Sequence, residues 1–233
     1  MKNRRIVVFS GAGMSAESGI STFRDSGGLW ENVAIEDVAT PDAWKRNPER
    51  VQSFYNERRK QILESQPNKA HQICASLEEL GAVEIITQNI DDLHERAGSK
   101  EVLHLHGNIR LAKSSGPNAE STYYPIKGWE LKMTDRCPEG YPLRPHVVWF
   151  GEEVPELLTA EKIIQQADIF IVIGTSLQVY PAAGLIYAVK PGTLCYLIDP
   201  QAHLLQAPST FNKISNSASE GLTEVKSILE NKS

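Results

Sequence analysis

An imidazole, two amides and a carboxylate fall close together in this sequence. Residues 86–98 read Ile-Thr-Gln-Asn-Ile-Asp-Asp-Leu-His-Glu-Arg-Ala-Gly, and residues 102–109 read Val-Leu-His-Leu-His-Gly-Asn-Ile. Gln88, Asn89 and Asp91 follow an apolar, β-branched run, so the end of a strand would present them to a ligand. Amides and a carboxylate placed there suit a carboxamide and sugar hydroxyls. Asn89 and Asp91 suit the N-cap of the next helix equally well. His106 precedes Gly107, which leaves its ring little local cover, and a neutral histidine is the natural general base for a sugar hydroxyl. His104, facing the other way in an extended segment, reads as a packed or surface histidine.

Near the start of the chain, the apolar run 6–10 climbs into Gly11-Ala12-Gly13-Met14-Ser15-Ala16. Strand, G-x-G-x-x-A and helix is an arrangement for a pyrophosphate. The first glycine allows the tight turn, the second lets the backbone approach, and the helix N-terminus favours the anion. The acidic residue expected about 20 positions on, at the end of a second strand, is missing. Asp199, at the tip of the run 193–198, is placed to do that job, accepting from ribose hydroxyls and repelling a 2′-phosphate, which favours NAD over NADP. A turn aspartate before Pro200 is the competing reading.

The elements that must position these groups follow from the pattern of the chain. Runs 6–10, 83–87, 169–173 and 193–198 read as buried parallel strands, and 70–80, 156–167 and 220–230 as helices. Strands alternating with helices predict an α/β fold with a doubly wound, Rossmann-like parallel sheet and its ligands beyond the carboxyl ends of the strands. Segments 25–66, helical in pattern, and 109–147, irregular, form an expected small inserted lobe. The large lobe takes 1–24, 67–108 and 148–233, and the whole of 1–233 is expected to be one catalytic domain.

Composition bounds the partners. Hydrophobic residues make up 41% and charged residues 23%, and the net charge is −5, so there is no basic footprint for nucleic acid. No window approaches the ~18 apolar residues of a membrane span, and 6–10 is too short for the apolar core of a signal peptide. The three cysteines, odd in number and far apart, imply no disulfide framework. A reducing cytoplasm and a monomer are the default expectations.

Taken in order, the motifs resemble those of the sirtuins, the NAD-dependent protein-lysine deacylases. The resemblance rests on Gly11-Ala12-Gly13-Met14-Ser15-Ala16-Glu17-Ser18-Gly19-Ile20 with Thr22-Phe23-Arg24-Asp25, then Thr87-Gln88-Asn89-Ile90-Asp91 and His104-Leu105-His106-Gly107. Arg144-Pro145-His146-Val147-Val148-Trp149-Phe150-Gly151-Glu152 and Gly174-Thr175-Ser176 complete it, over residues 6 to about 220. The resemblance implies that NAD lies across Gly11, Ala12, Gly13, Ser15, Ala16 and Glu17, with Phe23 and Arg24 closing over it. It places Gln88, Asn89, Ile90 and Asp91 at the nicotinamide and its ribose, and Gly174, Thr175, Ser176, Asp199 and Ala218 also at the cofactor. By the same resemblance His106, Asn89 and Asp91 are catalytic. The acyl-lysine oxygen attacks C1′ as nicotinamide leaves, His106 takes a proton from the ribose hydroxyls, and O-acyl-ADP-ribose and free lysine are formed. Val147, Val148, Phe150 and Gly151 match the extended segment that pairs with the substrate backbone, although a buried strand explains some of them equally.

Two details refine and test the resemblance. Tyr55 and Arg58, three apart on a predicted helix, share a face, and a phenol with a guanidinium suits a carboxylate. This Phe-Tyr-x-x-Arg-Arg stretch, with Ala39 as the small residue giving room, is similar to that of the sirtuins that remove succinyl, malonyl or glutaryl groups. The alternative makes Arg58 and Arg59 solvated charges paired with Glu57 or Glu64. Sirtuins also carry a structural zinc between two C-x-x-C pairs, whereas 109–147 holds one cysteine, Cys137, with Gly140 in the next ligand position. One thiolate cannot make a closed four-ligand site, so zinc is expected to be absent and Tyr123, Tyr124, Ile126, Trp129 and Leu131 to hold the lobe. An NAD glycohydrolase or ADP-ribosyltransferase using the same pocket, or a non-catalytic NAD-binding module, are the alternatives to a deacylase.

Overall fold

The computed structural model of the chain describes residues 4–21, 29–30, 33–120 and 122–231. Among them the chain runs β1 (Arg5–Ser10), α1 (Gly13–Ala16), β2 (Leu29–Trp30), β3 (Val33–Ala34), α2 (Ile35–Val38), α3 (Pro41–Arg46), α4 (Pro48–Glu64), α5 (Lys69–Ser76), β4 (Ala82–Thr87) and α6 (Leu93–Arg96). It continues through β5 (Val102–His104), β6 (Gly107–Ser114), β7 (Tyr123–Pro125), β8 (Leu143–Val147), α7 (Leu157–Ile164), β9 (Ile169–Ile173), β10 (Leu194–Ile198), β11 (Phe211–Ile214) and α8 (Ala218–Asn231).

Six strands form one sheet in the order β11-β10-β9-β1-β4-β5, and every neighbouring pair is parallel. The apolar runs became its middle strands because both of their faces are covered. Ile6, Val8, Ile171 and Ile173 pack under α5 and α8, while Val7, Phe9, Phe170 and Val172 pack on the side of α7. From β1 the chain winds outward through β4 and β5, then returns to β9 and winds the other way. The strand order therefore reverses between β1 and β9, and a crevice opens beyond their carboxyl ends.

Three expectations are corrected. β5 and β11 add strands that the apolar pattern missed. Segment 25–66 is not wholly helical, since β2 and β3 pair as a short antiparallel hairpin before α2. Segment 109–147 is not irregular, because β6 is flanked by β7 and β8 in a three-stranded antiparallel sheet. Behind that sheet Ala112, Ile126, Leu131, Cys137 and Leu143 form a separate core, with Tyr124 packed against it. Tyr123 and Trp129 stand 39% and 44% exposed, so they are not among its buried members.

Helix α4 joins the two parts. Asn47 caps it by accepting from the amide of Arg50 at 3.0 Å, and Pro48 fills its first turn. Arg59 is not a solvated charge, as it is completely buried. Its Nε donates to the Ile109 carbonyl at 2.6 Å, and its Nη1 to Asn56 Oδ1 at 2.7 Å and to the Trp129 carbonyl at 2.8 Å. Burial, with Arg110 nearby, lowers its pKa to about 10. Gln52 adds a bond from Nε2 to the Leu131 carbonyl at 2.8 Å. Residues 109–131 are therefore tied to one face of α4 through polar groups that have little access to water.

Candidate active site

The turn after β1 and the turn after β9 meet at the point where the strand order reverses. The amide of Gly11 donates to the Ile173 carbonyl at 3.0 Å, and that of Gly13 to the Gly174 carbonyl at 2.8 Å. A Cβ on Gly13 would lie 2.8 Å from Gly174 Cα, and one on Gly11 would lie 2.8 Å from the Gly174 oxygen. Both glycines are thus required by backbone meeting backbone. Both also line the cavity described below, and because their amides donate inside the protein, what they offer a ligand is a bare backbone rather than hydrogen-bond donors. Thr175 Oγ1 accepts from Gln88 Nε2 at 3.1 Å and from the Leu177 amide at 3.2 Å, which leaves its own proton to donate.

Beyond these turns lies a cavity of about 550 Å³. Its walls bring together almost every residue singled out in the sequence: Gly11, Ala12, Gly13, Ser15, Ala16 and Glu17; Gln88, Asn89, Ile90, Asp91 and His106; Gly174, Thr175, Ser176, Asp199 and Ala218. The same walls include Ala39, Tyr55, Arg58, Val147, Val148, Phe150 and Gly151. Phe23 and Arg24 lie outside the described residues. Trp149 and Glu152, quoted with the 147–152 motif, also line the cavity, as do Gln61 and Ile62, which were not picked out. Helical spacing was the available signal for Gln61 and Ile62, three and four positions after Arg58.

Ser15 organises the polar centre. Its Oγ donates to Asp91 Oδ2 at 2.9 Å and accepts from Asn89 Nδ2 at 3.1 Å. Asp91 Oδ1 also accepts from the amide of Leu93, the first residue of α6, at 3.1 Å, so this residue, just before the Asp92 N-cap, holds the helix start and faces the cavity at once. Burial raises its pKa, against the lowering effect of those two hydrogen bonds. His106, half-buried, has Nδ1 3.0 Å from the Gln88 carbonyl. A carbonyl can only accept, so Nδ1 carries the proton and Nε2 keeps a lone pair. Burial lowers the His106 pKa and the Gln88 bond works weakly the other way, which leaves a neutral base.

Gly107 has φ +84°, and a Cβ there would lie 2.2 Å from the His146 oxygen. Its role is the close crossing of β6 and β8 rather than exposure of His106. His104 is a packed residue, with Nδ1 at 3.0 Å from the Asn89 carbonyl and Nε2 at 2.7 Å from Glu95 Oε1. Burial, the largest single effect, pulls its pKa down, but the bond to Glu95, the Glu95 charge, the Asn89 carbonyl and Asp91 together outweigh it and the net shift is upward. Behind the loop, His94 Nε2 lies 3.0 Å from Ser10 Oγ, and its ring meets that of His71 edge-on at 4.9 Å. Burial lowers both, His71 to about 4.

Asp199, 3% exposed, accepts from the Gln201 amide at 2.9 Å, the bond of a turn aspartate, and it also lines the cavity. Glu17 has a further task, since its Oε1 accepts from the Ser219 amide at 3.0 Å, in the first turn of α8. The amides of Val148 and Phe150 donate to the carbonyls of His106 and Ala39 at 2.9 and 3.0 Å, and that of Trp149 to Glu152 Oε2 at 2.8 Å. Val147 is 3% exposed and Phe150 44%.

The model of the Sir2 family matches residues 11–181. The chain belongs to the Sir2 family. A protein of Bacteroides thetaiotaomicron named NAD-dependent protein deacylase is 50% identical over 232 residues, 98% of each chain. One of the same name from Pyrococcus furiosus is 48% identical over 196 residues, 81% of this chain and 78% of its own. A crystal structure of a Sir2 homologue in complex with NAD superposes with a TM-score of 0.84 at 38% identity, covering 99% of this chain and 91% of that one. A mutant Sir2 homologue in complex with ADP-ribose gives a TM-score of 0.86 at the same identity, covering 99% and 94%. The six-stranded parallel sheet with its small antiparallel partner is thus the Sir2 architecture. No described helix is long and apolar enough to cross a membrane.

Proposed function

We propose that the chain is an NAD-dependent protein-lysine deacylase that removes acetyl groups and, through Tyr55 and Arg58, acidic acyl groups such as succinyl or malonyl. The products are free lysine, nicotinamide and O-acyl-ADP-ribose. The observation that carries this reading is the convergence on one cavity of His106, Asn89 and Asp91 with Tyr55 and Arg58. NAD hydrolysis alone has no use for the second pair.

The residues present fit NAD. Thr175 has a hydroxyl proton to give at the strand-order reversal, Asp199 offers an acceptor for ribose hydroxyls, and Asn89 and Asp91 are fixed through Ser15 for the nicotinamide end. NAD, when bound, supplies the electrophilic ribose carbon that receives the acyl oxygen. His106 accepts the ribose hydroxyl proton at Nε2, because Nδ1 is held by Gln88. The buried walls hold the reacting groups in place and exclude water, which would otherwise compete for NAD. The peptide lies along 148–151. The amides of Val148, Trp149 and Phe150 already donate within the chain and the Trp149 carbonyl accepts from the Glu152 amide, so pairing with the peptide falls to the other carbonyls and the Gly151 amide.

The small lobe is proposed to hold no structural zinc. Cys137 is its one cysteine, with Sγ 3.5 Å from Ser114 Oγ and 3.4 Å from Glu139 Oε2. Among the described residues no three His, Cys, Asp or Glu side chains are grouped to hold a metal ion. The lobe rests instead on its apolar core and on Arg59. All three cysteines are buried free thiols, which suits a reducing cytoplasm.

The test incubates the purified protein with NAD and matched acetyl-lysine and succinyl-lysine peptides, with and without a zinc chelator. Peptide mass and nicotinamide are read together. Loss of the succinyl group that Arg58→Met slows by roughly tenfold or more, while acetyl removal persists, is expected. Chelator leaves both rates unchanged. Nicotinamide release with both peptides intact would replace the deacylase reading with NAD hydrolysis or ADP-ribosyl transfer to another acceptor.

A further inference from the structure

Two histidines grip successive carbonyls of the turn that follows β4. His106 Nδ1 lies 3.0 Å from the Gln88 carbonyl, and His104 Nδ1 lies 3.0 Å from the Asn89 carbonyl. Their second nitrogens differ. His106 Nε2 keeps a lone pair, whereas His104 Nε2 lies 2.7 Å from Glu95 Oε1. A carbonyl and a carboxylate can only accept, so both His104 nitrogens carry protons and the ring is a cation. Asn108 Nδ2, 3.3 Å from His104 Nε2, is an amide donor, because Asn108 Oδ1 accepts from the Arg110 amide at 2.9 Å. It would suit a neutral ring, but that ring would set its lone pair against the carboxylate, which is the nearer group. Burial acts to raise the Glu95 pKa, yet the bond and charge of His104 bring it net below its ordinary value, so Glu95 is ionised.

We propose that His104 is a positioning residue working as a buried imidazolium, which clamps the Asn89 carbonyl and supplies the counter-charge that keeps Asp91 an anion. The inference rests on the reading that Asn89 and Asp91 serve the nicotinamide end of NAD. Asp91 is 5% exposed and burial raises its pKa, so its charge has to be offset from within the protein. The bonds from Ser15 and Leu93 do part of this, and the His104 charge acts in the same direction, against Asp92. Asp92 is itself taken up by Arg96 and Arg110, at 3.5 and 3.3 Å. His71 on α5, His94 on α6 and His146 on β8 are all lowered, chiefly by burial, so none of them adds a second cation. An anionic Asp91 favours the positively charged nicotinamide ring and the ribose cation that forms as the ring leaves, and a neutral carboxyl favours neither.

The experiment follows the imidazole nitrogens of the isotope-labelled, ligand-free protein by NMR from pH 5 to 9, with His104→Gln to assign the signals. Over the same range kcat/KM is measured for nicotinamide release with an acetyl-lysine peptide. Both His104 nitrogens are expected to be protonated at pH 6.5, with a midpoint above that value, and kcat/KM to fall on the alkaline side as His104 loses its proton. Glu95→Gln keeps an acceptor but removes the charge, and should move the NMR midpoint and the alkaline limb together by about one unit or more toward acid. A His104 ring with a single proton at pH 6.5 overturns the proposal. So does an alkaline limb that stays in place while the midpoint moves, which would make the ion pair structural only. Should Glu95→Gln lose its fold, the wild type decides alone: a limb within about half a unit of the midpoint supports the proposal, and one more than about a unit away overturns it. If the wild type binds NAD and releases nicotinamide without such a limb, this inference fails alone. If it does neither, the NAD reading fails and takes the inference with it.

Discussion

His106 Nδ1 lies 3.0 Å from the carbonyl oxygen of Gln88, and this contact selects the nitrogen that can take a proton. Replacing His106 by Ala removes the lone pair on Nε2 but none of the contacts among Ser15, Asn89 and Asp91. Turnover is expected to fall about 10²–10⁴-fold, with NAD affinity changed only a few-fold. Calorimetric titration with NAD, beside nicotinamide release, checks both halves. Loss of NAD binding would make His106 a binding residue instead.

The same residue sets the acid side of the pH profile. Burial lowers the His106 pKa below its ordinary 6.5, and only the neutral ring accepts a proton. Protonation therefore inactivates the base at a lower pH than it would in an exposed histidine. The acidic limb of kcat/KM against pH is expected below 6.5, and a limb centred above 7 would contradict a lowered value.

Stability should also decline in acid. His71 is buried with a folded pKa of about 4, below its unfolded value of 6.5, and His94 is lowered in the same direction. A depressed folded pKa means that the unfolded chain binds more protons between the two values. The stabilisation is present above 6.5 and is lost as pH falls toward 4. His71 alone would withdraw roughly 2 kcal/mol by pH 5. Melting temperature measured from pH 7.5 to 4.5 is expected to drop most steeply below 6.5, and a flat curve would count against neutral buried histidines.

Arg59→Ala should destabilise the fold far more than removal of a surface arginine. It leaves the carbonyls of Ile109 and Trp129 without their buried donor, at a cost of about 3 kcal/mol or more. For a chain of this size that lowers Tm by roughly 6–12 °C. Thermal melts of Arg59→Ala beside the exposed Arg50→Ala make the comparison, and equal shifts would show that the buried guanidinium is not holding the lobe.

The central strands were legible because β1, β4, β9 and β10 are nearly continuous apolar runs, the mark of a strand covered on both faces. β5, with the sequence Val-Leu-His, and β11, with Phe-Asn-Lys-Ile, are short edge strands whose partial exposure admits polar residues. The antiparallel sheet was hidden by Lys113, Ser114, Pro125 and Pro145, none of them a strand signal. The polar constellation around the cavity was legible because its members sit beside strand ends in recognisable order. The reason for its glycines was not, since Gly11 and Gly13 answer to Gly174, some 160 residues away in sequence. Arg59 was misread for a related reason. Helical spacing shows which residues share a face, but not what folds back to cover it.

Helix α4 turns two different faces to its surroundings. Gln52, Asn56 and Arg59, four and three positions apart, hold the small lobe by its backbone carbonyls, while Tyr55, Arg58 and Ile62, with the same spacing, line the cavity. Foundation and reading head thus share one rod but use separate side chains. On the proposed acyl reading, exchanging residues on the cavity side changes which acyl chain fits, while the carbonyl contacts on the other side keep the rod in register. A single helix in this way keeps the side chains proposed to read the acyl group apart from those that hold the scaffold.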